Sequence, residues 1–149
     1  MLCGLPGARK TLYADKLREA TMDPLKTYVV SSDDIRWTMG DYRPYQEIHV
    51  RGIIEHYVTG CLSGGVSVVV DATNLTVARR MEVRSYAIGT GARTECHYLP
   101  LTADESYARS RKWIPKADIE TLYARLEPPT ADEYWDSLIV VPDVTKLKF

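Results

Sequence analysis

Long apolar runs are missing from this sequence. No stretch of eighteen consecutive apolar residues occurs, and the first residues carry neither the charged leader nor the apolar segment of a secretory signal. A soluble, cytoplasmic protein without a membrane span is therefore expected. Cysteine is scarce too. Cys3, Cys61 and Cys96 are odd in number, far apart and without CxxC or Cys/His spacing, which excludes a disulfide framework and reads as buried thiols in a reducing compartment. His49, His56 and His97 likewise show no metal-ligand spacing and read as structural. Charge of one sign is lacking as well: 19 Lys and Arg face 20 Asp and Glu, for a net charge of −1. That balance excludes a disordered polyelectrolyte and a uniformly basic nucleic-acid coat, so an anionic partner has to be held by a local basic patch. Internal repeats, low-complexity tracts and linkers are absent. The 149 residues, 45% of them hydrophobic, read as one domain over 1–149 with a sizeable core.

What is present is an alternation of two periods. Between Arg43 and Ser63 the residues Val50, Ile53, Ile54, Tyr57, Val58, Cys61 and Leu62 recur at helical steps, and Gly64 and Gly65 end the pattern. Helical patterns also fit Lys10 to Ala20, Val77 to Ile88, Ala103 to Ser110 and Ala117 to Leu126, the last ended by Pro128-Pro129. Short β-branched or alternating runs fall between them: Thr27 to Val30, Val66 to Val70, Thr94 to Leu99 and Leu138 to Val141. Strands alternating with helices predict an α/β fold with a parallel sheet covered on both faces, which binds ligands at the carboxyl ends of its strands. Val66 to Val70 reads as a central strand.

The residues after the first apolar stretch are Gly4, Leu5, Pro6, Gly7, Ala8, Arg9, Lys10 and Thr11. They match GxxxxGK[ST] at Gly4, Lys10 and Thr11, with Arg9 where the second fixed glycine belongs. Such a loop cradles phosphate oxygens with backbone N–H groups, while the lysine reaches the outer phosphates and the hydroxyl ligates Mg²⁺. Arg9 costs about 1–2 kcal/mol if its backbone is left-handed; its side chain either crowds a nucleotide or supplies a second cation. An ordinary Gly/Pro turn is the alternative reading of the loop. Only Met1, Leu2 and Cys3 precede Gly4, so the first strand is short or continues upstream.

Two further strand ends carry acids. Ser31-Ser32-Asp33-Asp34-Ile35-Arg36 sets two carboxylates and a guanidinium after the second run, a pattern that also suits a turn or helix cap. Asp71 closes the third run in the manner of a Walker B acid that supports Mg²⁺, with Thr73 or Asn74 as caps in the alternative. In this order GLPGxxKT, SSDDIR, VVDATNL with Arg79-Arg80, the basic stretch Arg109 to Lys116 and Glu127-Pro128-Pro129 resemble the P-loop kinase group that contains the polynucleotide 5′-kinases and their small ATP-binding relatives.

The resemblance implies a five-stranded parallel sheet in the order 2-3-1-4-5 with a small lid, and transfer of the γ-phosphate of ATP, with Mg²⁺, to a hydroxyl. The implied acceptor is the 5′-OH of DNA or RNA. A nucleoside, modified base or other small molecule is the alternative acceptor, and a nucleotide-binding or interaction module with little catalysis is a third reading. By the same resemblance Asp33 is the general base, Asp34 caps the following helix, and Arg36 contacts substrate phosphate. Arg109 and Arg111, ahead of Lys112, bring lid charge to the transferring group, and Asp71 or its neighbour, here Ala72, is the acid near the third strand. Trp37, Tyr42 and Tyr45 read as packing residues, with base stacking as the alternative, and Arg79, Arg80 and Arg84 as a solvated helix face.

Overall fold

The computed structural model describes residues 1–21, 26–41 and 43–146. Strands and helices alternate along them: β1 (Leu2–Cys3), α1 (Lys10–Ala20), β2 (Thr27–Ser31), α2 (Ser32–Thr38), α3 (Glu47–Ser63), β3 (Ser67–Asp71), α4 (Val77–Ser85), β4 (Glu95–Tyr98), α5 (Ala103–Ser110), α6 (Lys116–Ala124) and β5 (Ser137–Val140). Short 3₁₀ turns stand at Pro44–Gln46, Ala131–Glu133 and Val144–Lys146. Pro44 opens one of these turns, so α3 begins at Glu47 rather than at Arg43. α4 stops at Ser85, three residues earlier than its pattern reaches.

All strand pairs are parallel. The expected unbroken five-stranded ladder is not what the backbone forms. Hydrogen bonding links β2 to β3 in one piece and β1, β4 and β5 in another. The break falls where β1, two residues long, runs beside β3. There the connection is made at single points: Gly4 N–H donates to Thr73 O at 3.0 Å, and the buried Asn74 side chain donates from Nδ2 to Leu2 O at 2.7 Å. Asn74 adopts φ 45°, which its short amide tolerates better than most side chains and which brings the amide to the β1 backbone.

Successive valines of β3 point to opposite faces, as the period of two requires. Val69 joins Leu2, Tyr13, Ala14 and Leu99 on the α1 side, and Val70 joins Val30, Val50, Ile54, Val58 and Val83 beneath α3 and α4. The sheet is thus covered on both faces. The buried stripe of α3 narrows to Val50, Ile54 and Val58, and Tyr57 remains 54% exposed. Cys3 and Cys96 are buried, whereas Cys61 is only partly covered. His97 stands in the interior, where its ring meets the Tyr13 hydroxyl at 2.8 Å through Nδ1 and Glu95 at 3.0 Å through Nε2.

The solvated face expected of Arg79, Arg80 and Arg84 on α4 fails at Arg80, while Arg79 and Arg84 stay partly exposed. Arg80 has no exposed surface, and its Nε and Nη2 donate to Glu133 at 2.7 and 2.6 Å while Nη1 donates to the carbonyls of Asn74 and Leu75. Glu133 also accepts from Trp135 Nε1 and Thr130 N. This ion pair holds the loop after β3 from behind. No helix among the described residues is long and apolar enough to cross a membrane.

Candidate active site at the strand ends

The carboxyl end of β1 leads into Gly4–Arg9 and then into α1. Gly4 is dictated by space, because a Cβ there would lie 2.6 Å from the Leu99 carbonyl oxygen. Gly7 has φ 77°, and a Cβ on it would come within 2.9 Å of Arg109 Cβ. The loop therefore packs directly against α5, an approach secured by the hydroxyl of buried Ser106, which donates to Pro6 O at 2.8 Å. Arg9 caps α1 with φ 62° and ψ 35°, a left-handed conformation usually given to glycine. Its backbone follows the course a glycine would take, and its exposed side chain lines the cleft above.

Two side chains at the start of α1 turn toward β3. The Thr11 hydroxyl donates to Asp71 Oδ2 at 2.6 Å, and Lys10 Nζ donates to the Leu5 carbonyl at 3.0 Å within the loop. Burial pushes the Lys10 ammonium down, opposed by the charges of Asp71 and Asp33. Burial pushes the Asp71 carboxyl up, opposed by the Thr11 hydrogen bond and by Lys10. A cation and an acid that lower each other's cost of burial thus meet a hydroxyl at the floor of the cleft. Of the two positions open to the Walker B reading, the acid Asp71 is the one in contact with Thr11, and Ala72, which has no carboxylate, lies on the cleft wall.

The opposite wall comes from α2. Its cap is the Ser31 hydroxyl, which accepts from Asp34 N at 3.2 Å, so the expected capping by the Asp34 side chain gives way to Ser31. Asp33 and Arg36 pair at 2.7 Å across one turn, and Glu47 takes the same guanidinium in a fork, from Nε at 3.1 Å and Nη2 at 2.7 Å. Arg36 is thus anchored on α3 and holds Asp33 at the cleft edge.

The cleft between these walls encloses about 670 Å³ and is lined by Lys10, Thr11, Asp33, Arg36, Asp71 and Arg109 among others. Its far side is not the full set of basic residues expected. Arg109 faces the cleft because its turn of α5 rests on Gly7, whereas Arg111 caps the helix end and is exposed away from the lining; Trp113 and Ile114 take that place. Trp37 and Tyr45 are 87% and 77% exposed, against the expectation that they pack, and Tyr42 lies outside the described residues. The reading from sequence missed Ser106 and Trp113. Ser106 precedes Arg109 by one helical turn, a spacing that places both on the loop-facing side of α5.

The donor set fits a nucleotide with its divalent ion. Among the described residues no group of three His, Cys, Asp or Glu side chains could hold a metal by itself. Thr11 and Asp71 together present hard oxygen donors, which suits Mg²⁺, an ion usually bound by one or two protein oxygens together with substrate phosphates and water.

The sequence profile of the AAA domain family matches residues 1–129. The chain belongs to this family. Among solved structures it is similar to a gluconokinase from Sinorhizobium meliloti 1021, with 18% identity, a TM-score of 0.65, and coverage of 94% of this chain and 79% of that one. It is also similar to APE1195, with 19% identity, a TM-score of 0.67, and coverage of 98% of this chain and 84% of that one. At these identities the likeness establishes the P-loop kinase fold. No curated protein matches the chain.

Proposed function

We propose that this AAA domain protein transfers the γ-phosphate of ATP to a hydroxyl, with the 5′-OH of DNA or RNA as the first acceptor to examine. The observation that carries the reading is the joint floor of Lys10, Thr11 and Asp71, set opposite the Asp33–Arg36 pair across one cleft. In the reaction the acceptor oxygen bonds to the γ-phosphorus, the bond to the β-phosphate oxygen breaks, and ADP leaves with the electron pair. Asp33 takes the hydroxyl proton. Lys10 and the loop amides from Gly7 to Thr11 hold the outer phosphates, and Arg109 offsets the charge that spreads over the transferring group. Arg9 adds a second cation at the rim, which accounts for a strained residue being kept where glycine is easier. Thr11 and Asp71 would hold Mg²⁺, which when bound neutralises phosphate charge.

A small hydroxyl-bearing acceptor is the second reading, favoured by the modest cleft volume and by the burial of Arg80, which withdraws one cation of α4 from any nucleic-acid backbone. The deciding experiment is phosphate transfer from labelled Mg-ATP to 5′-hydroxyl oligonucleotides and to nucleosides. Wild type labels one class, and Asp33→Asn lowers the rate by about 10²–10⁴-fold, the usual contribution of a general base, with Mg-ATP still bound. Binding of Mg-ATP without transfer to any hydroxyl contradicts the proposal and favours a nucleotide-binding module.

A further inference from the structure

The two partners of the Thr11–Asp71 contact stand on different pieces of the sheet. Thr11 follows β1, which is hydrogen-bonded to β4, and Asp71 ends β3, which is hydrogen-bonded to β2. β1 and β3 lie side by side, yet among the described residues no ladder of backbone hydrogen bonds joins them. A seam therefore runs through the floor of the cleft, between the hydroxyl and the carboxylate that would share a metal ion. In an unbroken parallel sheet the evenly spaced ladder fixes the offset of neighbouring strand ends. Here the offset has to be fixed by other means.

Asn74 is where the seam is fastened. Its side-chain Nδ2 donates to Leu2 O at 2.7 Å, and its backbone carbonyl accepts from Cys3 Sγ at 3.3 Å, so one residue of the loop after β3 holds both residues of β1. Arg80 Nη1 donates to the same carbonyl at 3.2 Å and, through its pair with Glu133, steadies it from the other side. One residue earlier, Thr73 O accepts from Gly4 N at 3.0 Å. Asn74 keeps this place at a double cost. Its backbone is left-handed, at φ 45°, and its buried Oδ1 has no hydrogen-bond partner among the described residues. Strain and an orphaned polar atom kept together beside a cleft mark a residue held for function rather than for stability.

We propose that Asn74 is a positioning residue for the Thr11–Asp71 pair: it acts through Asp71, setting that carboxylate at the Thr11 hydroxyl, and is itself outside the cleft lining. The proposal deepens the kinase reading above and rests on it. Asn74 stands in the loop directly after Asp71, and Leu2 and Cys3 lead directly into the loop that ends at Thr11, so a slip along the seam reaches the 2.6 Å contact from both sides. Mg²⁺ demands near-ideal octahedral geometry, which leaves little tolerance for such a slip.

The test separates Mg²⁺ from the nucleotide. A non-hydrolysable ATP analogue is titrated calorimetrically into wild type and Asn74→Gly, each with Mg²⁺ and with EDTA. Glycine accepts φ 45° without strain, so this change removes the amide alone. The strengthening of analogue binding by Mg²⁺ falls about tenfold in Asn74→Gly, the loss of one hydrogen bond that sets the site, while Mg²⁺-free affinity stays within about twofold of wild type. In a Thr11→Val background, where the pair is already broken, Asn74→Gly removes less than about twofold more. Val83→Ala, in the core beneath α4, lowers Tm and leaves the strengthening intact. Wild type supplies a reading that needs no variant and decides alone if Asn74→Gly does not fold: amide hydrogen exchange at Gly4, whose N–H crosses the seam, slows more with the Mg²⁺-loaded analogue than with the analogue alone. Equal losses with and without Mg²⁺ make Asn74 merely structural and overturn the proposal. So do undiminished strengthening in Asn74→Gly, a further tenfold loss in the Thr11→Val background, and Gly4 exchange indifferent to Mg²⁺; in each case nucleotide binding and the kinase reading stand. An analogue that does not bind wild type, or that binds Lys10→Ala equally well, brings down both.

Discussion

Replacing Arg9 by glycine separates strain from function, because the two effects have opposite signs. Arg9 sits at φ 62° and ψ 35°, where a residue with a Cβ costs about 1–2 kcal/mol. Glycine gives back about 0.5–1 kcal/mol through the greater freedom of its unfolded chain. Arg9→Gly therefore stabilises the free protein by about 0.5–1 kcal/mol, a rise in Tm of about 1–4 °C for a domain of this size. The same change removes a guanidinium from the cleft rim. A charge-assisted contact to phosphate, discounted for exposure, contributes about 1 kcal/mol, so Mg-ATP binds about fivefold more weakly. Thermal unfolding followed by circular dichroism reads the first effect and titration calorimetry the second. Arg9→Ala separates them further: it keeps the strained backbone, so its Tm stays near that of wild type, and it loses affinity as the glycine variant does. A lower Tm for Arg9→Gly refutes the backbone argument. Tighter Mg-ATP binding by Arg9→Gly refutes the role of Arg9 as a second cation and makes it an obstruction.

Arg80→Met leaves Glu133 buried without its partner and destabilises the protein by about 3–5 kcal/mol in urea unfolding; a loss under about 1 kcal/mol contradicts the buried-pair reading. The double variant Arg80→Met, Glu133→Leu recovers most of that loss, because a missing pair costs less than a broken one. Burial, against the opposing pull of Glu95, holds the His97 ring below its ordinary value of 6.5. The unfolded chain then takes up a proton at His97 that the native state refuses, so stability present above the unfolded value is lost as pH falls below about 6.5 toward the native value. Urea midpoints measured from pH 7.5 down to 5.5 show this slope in wild type and a shallower one in His97→Gln; equal slopes dismiss it.

Much of the fold is legible in the residues themselves, because each signal is local. Glycines at 64 and 65 end a helix, β-branched runs make strands, and the spacing of residues 4–11 marks the loop that joins the first strand to the first helix. Asp71 and Thr11, sixty positions apart, are brought together by a motif logic that needs only strand ends on one edge of a sheet. What was not legible depends on partners distant in sequence. Arg79, Arg80 and Arg84 look equivalent on a helix, yet Arg80 is buried because Glu133 lies across from it. Arg109 and Arg111 look equivalent in a basic stretch, yet only the turn carrying Arg109 and Ser106 rests on the loop. The gap in the sheet follows from a two-residue β1 and is spanned by an asparagine that its sequence neighbours present as a cap. The exposure of Trp37 runs against its apolar character, and no neighbouring residue in the chain foretells it.

The central claim, that the first loop of this chain still wraps a triphosphate with Arg9 in place, is tested most directly by titrating the purified protein with ATP in the presence and absence of Mg²⁺. The account predicts one site, strengthened by Mg²⁺, weakened by Thr11→Val and lost in Lys10→Ala. Binding that ignores Mg²⁺ and survives Lys10→Ala would contradict it.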